Sequence, residues 1–153
     1  MSIADATLDA PAAAPTGLEQ LRALRDSGRA AAIGETLGFS LAEVEEGRVV
    51  FEATPDRRVY NPIGTVHGGF AATLLDSACG CAVHSKMSAS QGYTTLELKV
   101  AYHKAMTDQT GLVRAEGRVV SIGRRAAFAE ATLTDAAGRL YASATSTLLV
   151  FDR

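Results

Sequence analysis

The chain has 153 residues, a length typical of one domain, and its formal net charge at pH 7 is −2. The slight acidic excess argues against a dedicated nucleic-acid binder, and 47% hydrophobic with 21% charged residues is the composition of a globular protein rather than a disordered one. The two cysteines, Cys79 and Cys81, are too few for a disulfide scaffold or a four-cysteine zinc site, so we expect small core residues in a reducing compartment.

The N-terminal residues predict neither export nor a membrane anchor. Residues 1–16 carry Asp5 and Asp9 and no basic segment, which is unlike a signal peptide. The longest apolar stretch, residues 70–83, is too short to cross a membrane and contains Asp76. We therefore expect a cytoplasmic protein with no membrane partner, in which residues 1–15 are a flexible leader and residues 16–153 form a single domain.

Two short helical segments are predicted near the N-terminus. Thr16 can cap a helix, because Glu19 stands at capping-box spacing and leucines follow at helical intervals. Gly28 is the predicted end of that helix, and a second segment covers residues 30–37. The residues that follow predict a strand (48–54), a loop (57–66), one long helix (68 to about 84) and a second loop (85–92).

Four strands are predicted after the long helix, and their short connections favour an antiparallel meander over a parallel repeat. In the first strand, leucines and other apolar residues alternate with polar or small ones, which predicts two opposite faces. The order of elements predicts an α+β fold with one helix packed on an antiparallel sheet. The four strands cover residues 95–102, 112–121, 125–134 and 140–151; Leu96, Leu98, Val100 and Tyr102 are predicted on one face of the first strand and Thr95, Glu97, Lys99 and Ala101 on the other.

The long helix carries a single formal charge, Asp76, between the histidines at its two ends. A helix that is apolar on all sides is buried, and a carboxylate in a buried helix costs free energy unless it is paired, hydrogen-bonded or protonated. Asp76 is a satisfied core acid, an acid that faces solvent along a narrow stripe, or a functional group. Because no polar stripe surrounds it, the sequence favours a functional group.

The start of the same helix is a second candidate feature. Gly68 and Gly69 lack β-carbons, so a ligand can approach backbone N–H groups that have no partner within the helix and lie at the positive end of its dipole. Such groups suit a developing oxyanion, and Asn61 and His67 beside them can orient a carbonyl or a water. No second histidine or acid stands at ligand spacing, so no metal site is predicted.

The spacing along the helix predicts a dimer. Gly68 and Asp76 are eight residues apart, which is about 12 Å along a helix at about 1.5 Å per residue. One reacting carbonyl cannot contact the Gly68 amide and a water activated by Asp76 of the same helix. If both groups act on one substrate, they come from two copies with roughly antiparallel helices, so the sequence predicts an obligate homodimer with two composite sites.

These residues also carry a family resemblance. The motif Asn61-Pro-Ile-Gly-Thr-Val-His-Gly-Gly69, followed by Leu74-Leu-Asp76, resembles the hotdog-fold acyl-CoA thioesterases of the phenylacetic-acid-degradation (PaaI-like) type, over about residues 37–151. The resemblance implies a hotdog fold, a long central helix wrapped by an antiparallel sheet of about five to six strands. It also implies that two protomers join their sheets edge to edge and that two dimers form a homotetramer.

The resemblance implies a role for each residue that matches the motif. Asp76 matches the catalytic acid, and Gly68 matches the backbone amide that polarises the thioester carbonyl. Asn61 and His67 match residues that position the carbonyl and the water. Thr95 matches a serine or threonine that hydrogen-bonds the water or the acid in some relatives.

The expected function is hydrolysis of an aryl- or medium-chain acyl-CoA thioester to the free acid and CoA, with Asp76 as general base or nucleophile. No cofactor is expected, since coenzyme A is part of the substrate. The expected substrate-binding residues are Gly69 together with Arg124 and Arg125, the two arginines for the phosphates of CoA. Two alternatives stay open: a hotdog-fold hydratase or dehydratase of acyl thioesters, and a non-catalytic acyl-CoA-binding protein.

Overall fold

The computed structural model describes residues 13–153, which form one six-stranded sheet with a long helix against it. Most of the predicted leader, residues 1–12, lies outside the described residues. The helices are α1 (Gly17–Asp26), α2 (Ala32–Leu37) and α3 (Gly68–His84), with a 3₁₀ turn at Arg57–Val59. The strands are β1 (Phe39–Glu45), β2 (Arg48–Ala53), β3 (Gln91–Tyr102), β4 (Val113–Ile122), β5 (Ala126–Asp135) and β6 (Leu140–Asp152).

The sheet is antiparallel throughout, with strand order β1-β2-β4-β5-β6-β3. This confirms the predicted α+β hotdog architecture, but the predicted meander is wrong for β3, which pairs with β6 instead of β4. Residues 103–112 carry the chain from β3 to β4, and a connection of that length does not force neighbouring strands to pair. Strands β1 and β3 are therefore the two edges of the sheet.

Strand β1 was not predicted from the sequence. Its residues read Phe-Ser-Leu-Ala-Glu-Val-Glu, a short segment with two carboxylates, and it follows directly on helix α2. Its partner β2 comes after a two-residue turn in which Gly47 has a φ of 78°, a conformation that favours glycine. Residues 39–45 form a strand because they pair with β2, and the composition of the segment alone does not reveal this pairing.

The predicted cap of helix α1 is confirmed. The Thr16 side chain accepts the Glu19 N–H, and the Glu19 carboxylate accepts the Thr16 N–H at 2.8 Å. This reciprocal pair satisfies two N–H groups that have no partner within the helix. The helix ends at Asp26, and Gly28 follows with a φ of 68°.

Helix α3 covers the inner face of the sheet, and small residues allow a very close approach. A β-carbon at Gly117 of β4 would overlap the carbonyl of Ala78 and lie 2.9 Å from the backbone nitrogen of Cys79. The two backbones therefore meet with no side chain between them. Ala78 and Cys79 are fully buried, and burial raises the pKa of the Cys79 thiol to about 12, which makes it an inert core residue.

A β-bulge in β3 changes the predicted faces of this strand. The pairing with β6 shifts between Thr95 and Glu97, and the intervening Leu96 is 62% exposed. As a result Thr95 lies on the helix side together with Leu98 and Val100, whose side chains pack against the core. The predicted grouping of Thr95 with Glu97 was wrong, because the extra residue of a bulge reverses the alternation on one side of it.

In the part of the chain that the structure describes, no helix is long and apolar enough to cross a membrane.

The contact at Gly117 predicts a matched pair of variants. Gly117→Ala places a methyl group against the α3 backbone, which no side-chain rotation relieves, so we expect a loss of about 3 kcal/mol or more of unfolding free energy. Gly123→Ala is the control, since its β-carbon would lie 3.6 Å from the nearest atom, the Ala126 oxygen. Urea unfolding of both variants checks this; an equal, small effect would contradict the close approach of α3 and β4.

The pH dependence of stability follows from His84. Burial lowers the pKa of this imidazole, whose Nε2 lies 3.2 Å from Gln20 Oε1 and whose buried Nδ1 has no hydrogen-bond partner among residues 13–153. The unfolded chain binds a proton at His84 more readily than the folded protein does. The contribution of neutral His84 to the unfolding free energy is therefore complete above its pKa in the unfolded chain, and it is lost as the pH falls through its lower pKa in the folded protein.

We therefore expect the unfolding free energy to fall as the pH drops below about 6.5, the ordinary pKa of histidine, which is above the range in which carboxylates titrate. His84→Gln is expected to flatten that dependence, whereas His103→Gln, at an exposed histidine, is not. Denaturant unfolding at a series of pH values measures the slope. An unchanged slope in His84→Gln would show that another group is responsible.

Candidate active site

His67 caps helix α3 with its own side chain. Its Nδ1 accepts the Gly69 N–H at 2.8 Å, so a neutral imidazole carries its proton on Nε2. The Gly68 N–H, one position earlier, has no acceptor among the described residues. Of the two predicted amide donors, the Gly69 N–H is therefore used in the helix cap, and the Gly68 N–H is available to donate to a ligand.

Tyr102, at the end of β3, holds the start of α3. Its hydroxyl donates to the Gly68 carbonyl at 2.8 Å, and a β-carbon at Gly68 would lie 3.0 Å from the tyrosine ring. Sequence analysis missed this contact. The only signal for it was the position of Tyr102 at the end of a strand, and that position does not reveal which helix residue it meets.

Asn61 organises the loop in front of the helix. Its Oδ1 accepts the N–H groups of Ile63 and Thr65, both at 3.1 Å, and its Nδ2 donates to Thr65 Oγ1 at 2.9 Å. An asparagine that accepts backbone N–H groups a few residues later fixes a turn. One Nδ2 hydrogen is left without an acceptor in the described part of the chain, so the amide keeps one donor.

Asp76 lies in the middle of α3, half-buried, and is hydrogen-bonded to one neighbour. Thr95 Oγ1 donates to Asp76 Oδ1 at 3.0 Å, a contact that the bulge in β3 makes possible by turning Thr95 toward the helix. No donor from residues 13–153 contacts the second oxygen, Oδ2. The structure thus brings Asp76 and Thr95 together and leaves one carboxylate oxygen free to act.

A cavity of about 210 Å³ borders Asp76. Thr95 and Tyr93 of β3 and further residues of α3, including Cys81, line it on one side, and mostly apolar residues from α1, the segment 30–34, β1 and β2 form the rest of its wall. A carboxylate beside an apolar cavity is suited to a reaction on a substrate that carries an apolar group.

Gly68 and Asp76 do not meet within one protomer. Both lie on the single continuous helix α3, so they stand about 12 Å apart along its axis at about 1.5 Å per residue. His67, Gly68 and Tyr102 instead border a separate depression of about 340 Å³. The predicted site residues thus form two groups, one at the start of the helix and one in its middle.

Arg124 and Arg125 lie in the turn between β4 and β5, and both are exposed. Neither forms an ion pair with another described residue. The Arg125 carbonyl accepts the Val150 N–H at 2.9 Å, and Val150 pairs with Tyr93 of β3. The arginines therefore stand at the same end of the sheet as Tyr93, about two strand spacings or 10 Å away.

Cys81 and Tyr93 line the Asp76 cavity, and burial raises the pKa of both side chains, that of Cys81 to about 12. Neither is ionised near neutral pH, so neither supplies a charged nucleophile there. The described residues contain no group of three or more histidine, cysteine, aspartate or glutamate side chains placed to hold a metal ion.

The fold agrees with the comparisons to known proteins. The sequence pattern of the thioesterase superfamily matches residues 63–142, just over half of the chain. The chain therefore belongs to the thioesterase superfamily and is a thioester hydrolase. The matched residues begin in the loop before α3 and end in β6. They include the site residues at the start and in the middle of α3, but not Asn61.

Individual relatives cover most of the chain. A 1,4-dihydroxy-2-naphthoyl-CoA hydrolase of Listeria monocytogenes is 28% identical over 76% of this chain and 93% of its own length. A thioesterase family protein of Silicibacter pomeroyi is 31% identical, with a TM-score of 0.75 over 85% of this chain and 96% of its own. A Streptococcus mutans protein, solved bound to acetyl CoA, is 27% identical, with a TM-score of 0.68 over 75% of this chain and 90% of its own.

Proposed function

We propose that this protein hydrolyses an aryl- or medium-chain acyl-CoA thioester to the free acid and CoA. The observation that carries the proposal is Asp76, which has one oxygen held by Thr95 and the other without a donor among residues 13–153, beside an apolar cavity. The similarity to a naphthoyl-CoA hydrolase and to a protein solved with acetyl CoA supports CoA as the thiol part of the substrate. The motif from Asn61 to Gly69 supports the PaaI-like type within the superfamily.

In the proposed reaction the Gly68 N–H donates to the thioester carbonyl oxygen. The positive end of the α3 dipole stabilises the negative charge that develops there. The His67 Nε2–H and the remaining Asn61 Nδ2–H are further donors that position the carbonyl or the attacking water. The Gly69 N–H already donates to His67 Nδ1. Gly69 therefore contributes to substrate binding because it has no β-carbon, which lets the substrate approach the start of the helix.

Asp76 acts on the opposite side of the carbonyl by one of two routes. As a general base, it takes a proton from a water whose oxygen attacks the carbonyl carbon; the C–S bond then breaks and the proton passes to the departing CoA sulfur. As a nucleophile, the carboxylate attacks the carbonyl carbon directly, the C–S bond breaks, and CoA leaves as a thiolate that takes a proton from solvent. Water then hydrolyses the resulting mixed anhydride, which releases the free acid and restores the Asp76 carboxylate. Neither route requires a metal or a redox cofactor.

The site requires two copies of the chain, since Gly68 and Asp76 of one helix are too far apart. The exposed edge strand β3 offers the pairing surface: unpaired N–H and C=O groups along a 12-residue strand recruit a second strand. Leu96 and Tyr102 on this strand are 62% and 56% exposed. We propose an obligate homodimer joined through β3, two of which form a homotetramer.

The remaining assignments complete the proposal. Arg124 and Arg125, exposed and without ion-pair partners among the described residues, bind the phosphates of CoA. Residues 16–153 act as one thioesterase domain. The protein works in the cytoplasm.

The first test removes the proposed base. Asp76→Asn keeps the size of the side chain but takes away the negative charge, so we expect thiol release from acyl-CoA to fall roughly 10²- to 10⁴-fold. Asp152→Asn, at the exposed end of β6, is the control for a lost carboxylate. Wild-type turnover at an unchanged rate in Asp76→Asn would overturn the assignment.

The second test removes the amide donor while keeping the helix. Gly68 is the first residue of α3, a position where proline is well tolerated, and His67 already has the extended φ and ψ of −61° and 135° that precede proline. Gly68→Pro lacks the N–H, so we expect kcat to fall roughly 10²- to 10³-fold. Gly68→Ala is the matched control, because it adds a β-carbon against Tyr102 and retains the N–H. Equal kcat values for the two variants would exclude the amide from catalysis.

A further inference from the structure

One peptide unit at the start of α3 has both of its polar groups bonded to side chains. Its carbonyl, on Gly68, accepts the Tyr102 hydroxyl at 2.8 Å. Its N–H, on Gly69, donates to His67 Nδ1 at 2.8 Å. Since Tyr102 lies on the edge strand β3, two consecutive hydrogen bonds connect this strand to the imidazole of His67.

The backbone of His67 is fixed without the Tyr102 hydroxyl. Its N–H donates to the Val59 carbonyl at 2.8 Å, and its carbonyl accepts the Phe70 N–H at 3.0 Å. That carbonyl belongs to the same peptide unit as the Gly68 N–H, so the bond to Phe70 also orients this proposed oxyanion donor. The Tyr102 ring packs against Gly68, whereas its hydroxyl bonds the next peptide unit and acts through it on the imidazole.

The direction of these two hydrogen bonds fixes the proton of the imidazole. A carbonyl that accepts a hydrogen bond makes the N–H of its own peptide unit a stronger donor, because consecutive hydrogen bonds polarise one another. His67 Nδ1 accepts from that N–H, so the neutral ring carries its proton on Nε2. His67 borders the same depression as Gly68, and its Nε2 has no hydrogen-bond partner among residues 13–153, so this N–H is available to a ligand.

We propose that Tyr102 is a positioning residue, whose hydroxyl acts through the peptide unit after Gly68 to orient His67 and to keep its proton on Nε2, where it donates to the reacting carbonyl. This inference rests on the proposed thioester hydrolysis and adds a residue to its site. Because the carbonyl oxygen gains negative charge in the transition state, a well-placed donor raises kcat more than it tightens substrate binding.

The first experiment removes the hydroxyl and keeps the ring. Tyr102 is 56% exposed, so Tyr102→Phe is expected to fold. The substrate is benzoyl-CoA or hexanoyl-CoA, whichever the wild type hydrolyses faster. Loss of one hydrogen bond predicts that kcat falls roughly 3- to 10-fold, with KM within about twofold of the wild-type value. Tyr141→Phe is the matched control, since its hydroxyl donates to Asp135 at 3.1 Å, and it is expected to keep kcat within about twofold.

A double-mutant cycle identifies the route by which the hydroxyl acts. If it acts through the imidazole, His67→Ala removes the group that it orients, so adding Tyr102→Phe to His67→Ala lowers kcat no further. A further fall of the same size in the His67→Ala background would mean that the hydroxyl acts on the helix start itself, which contradicts the proposal.

The protonation of the ring is measured without turnover. The chain has three histidines, so ¹⁵N-labelled histidine gives few NMR signals in the full chain, and His67→Ala assigns those of His67. At about pH 8, well above the ordinary pKa of histidine, the wild type is expected to show His67 with its proton on Nε2 alone. The form protonated on Nδ1 is expected to appear in Tyr102→Phe but not in Tyr141→Phe.

The proposal is overturned if Tyr102→Phe keeps the wild-type kcat, if it changes KM alone, or if His67 keeps its proton on Nε2 in that variant. Its failure is separable from that of the proposed function. Thiol release with an unchanged imidazole would refute the role of Tyr102 alone, whereas the change in the imidazole without thiol release by the wild type would refute hydrolysis alone.

Discussion

Gly117 of β4 faces the peptide unit between Ala78 and Cys79 of α3, with no side chain between the two backbones. This contact sets how deep the helix lies in the sheet and how it is rotated, because close-packed interiors transmit such constraints to their neighbours. Asp76 lies two residues before this contact in α3, so the contact also fixes where Asp76 lies relative to the sheet. The bulge at Leu96 then brings Thr95 to the carboxylate from the edge strand β3.

A single rigid helix fixes the distance between two chemically different regions. Its start offers the Gly68 N–H, which has no acceptor among the described residues and is held in place by Tyr102 and by the loop that Asn61 organises. Its middle offers Asp76 beside an apolar cavity. Since a helix cannot shorten, the two regions act on one carbonyl only when a second copy supplies one of them. The open edge of β3 and the small buried area of a chain with 6% aromatic residues both favour such an assembly.

Local features of this fold were readable from the sequence, whereas long-range ones were not. The Thr16 capping box and the bounds of α3 follow from neighbouring residues, and both predictions are confirmed. The pairing of β3 with β6 depends on a choice among distant partners, and the bulge at Leu96 reverses an alternation that looks regular in the sequence. For the candidate site, Asp76 and Gly68 stood out by their unusual surroundings. The contact of Tyr102 with Gly68 and the cavity wall around Phe39 did not, because they join residues far apart in the chain.

Subunit complementation distinguishes a site shared between two copies from a site within one chain. Asp76→Asn and Gly68→Pro chains with different affinity tags are co-expressed, and assemblies that contain both are purified on the two tags in succession. If each site takes Asp76 from one copy and Gly68 from the other, a mixed dimer has one intact site and one doubly altered site. Such a dimer is expected to have about half of the wild-type thioesterase activity, far above that of the two parent variants. Activity no greater than that of the parents would contradict a site shared between two copies.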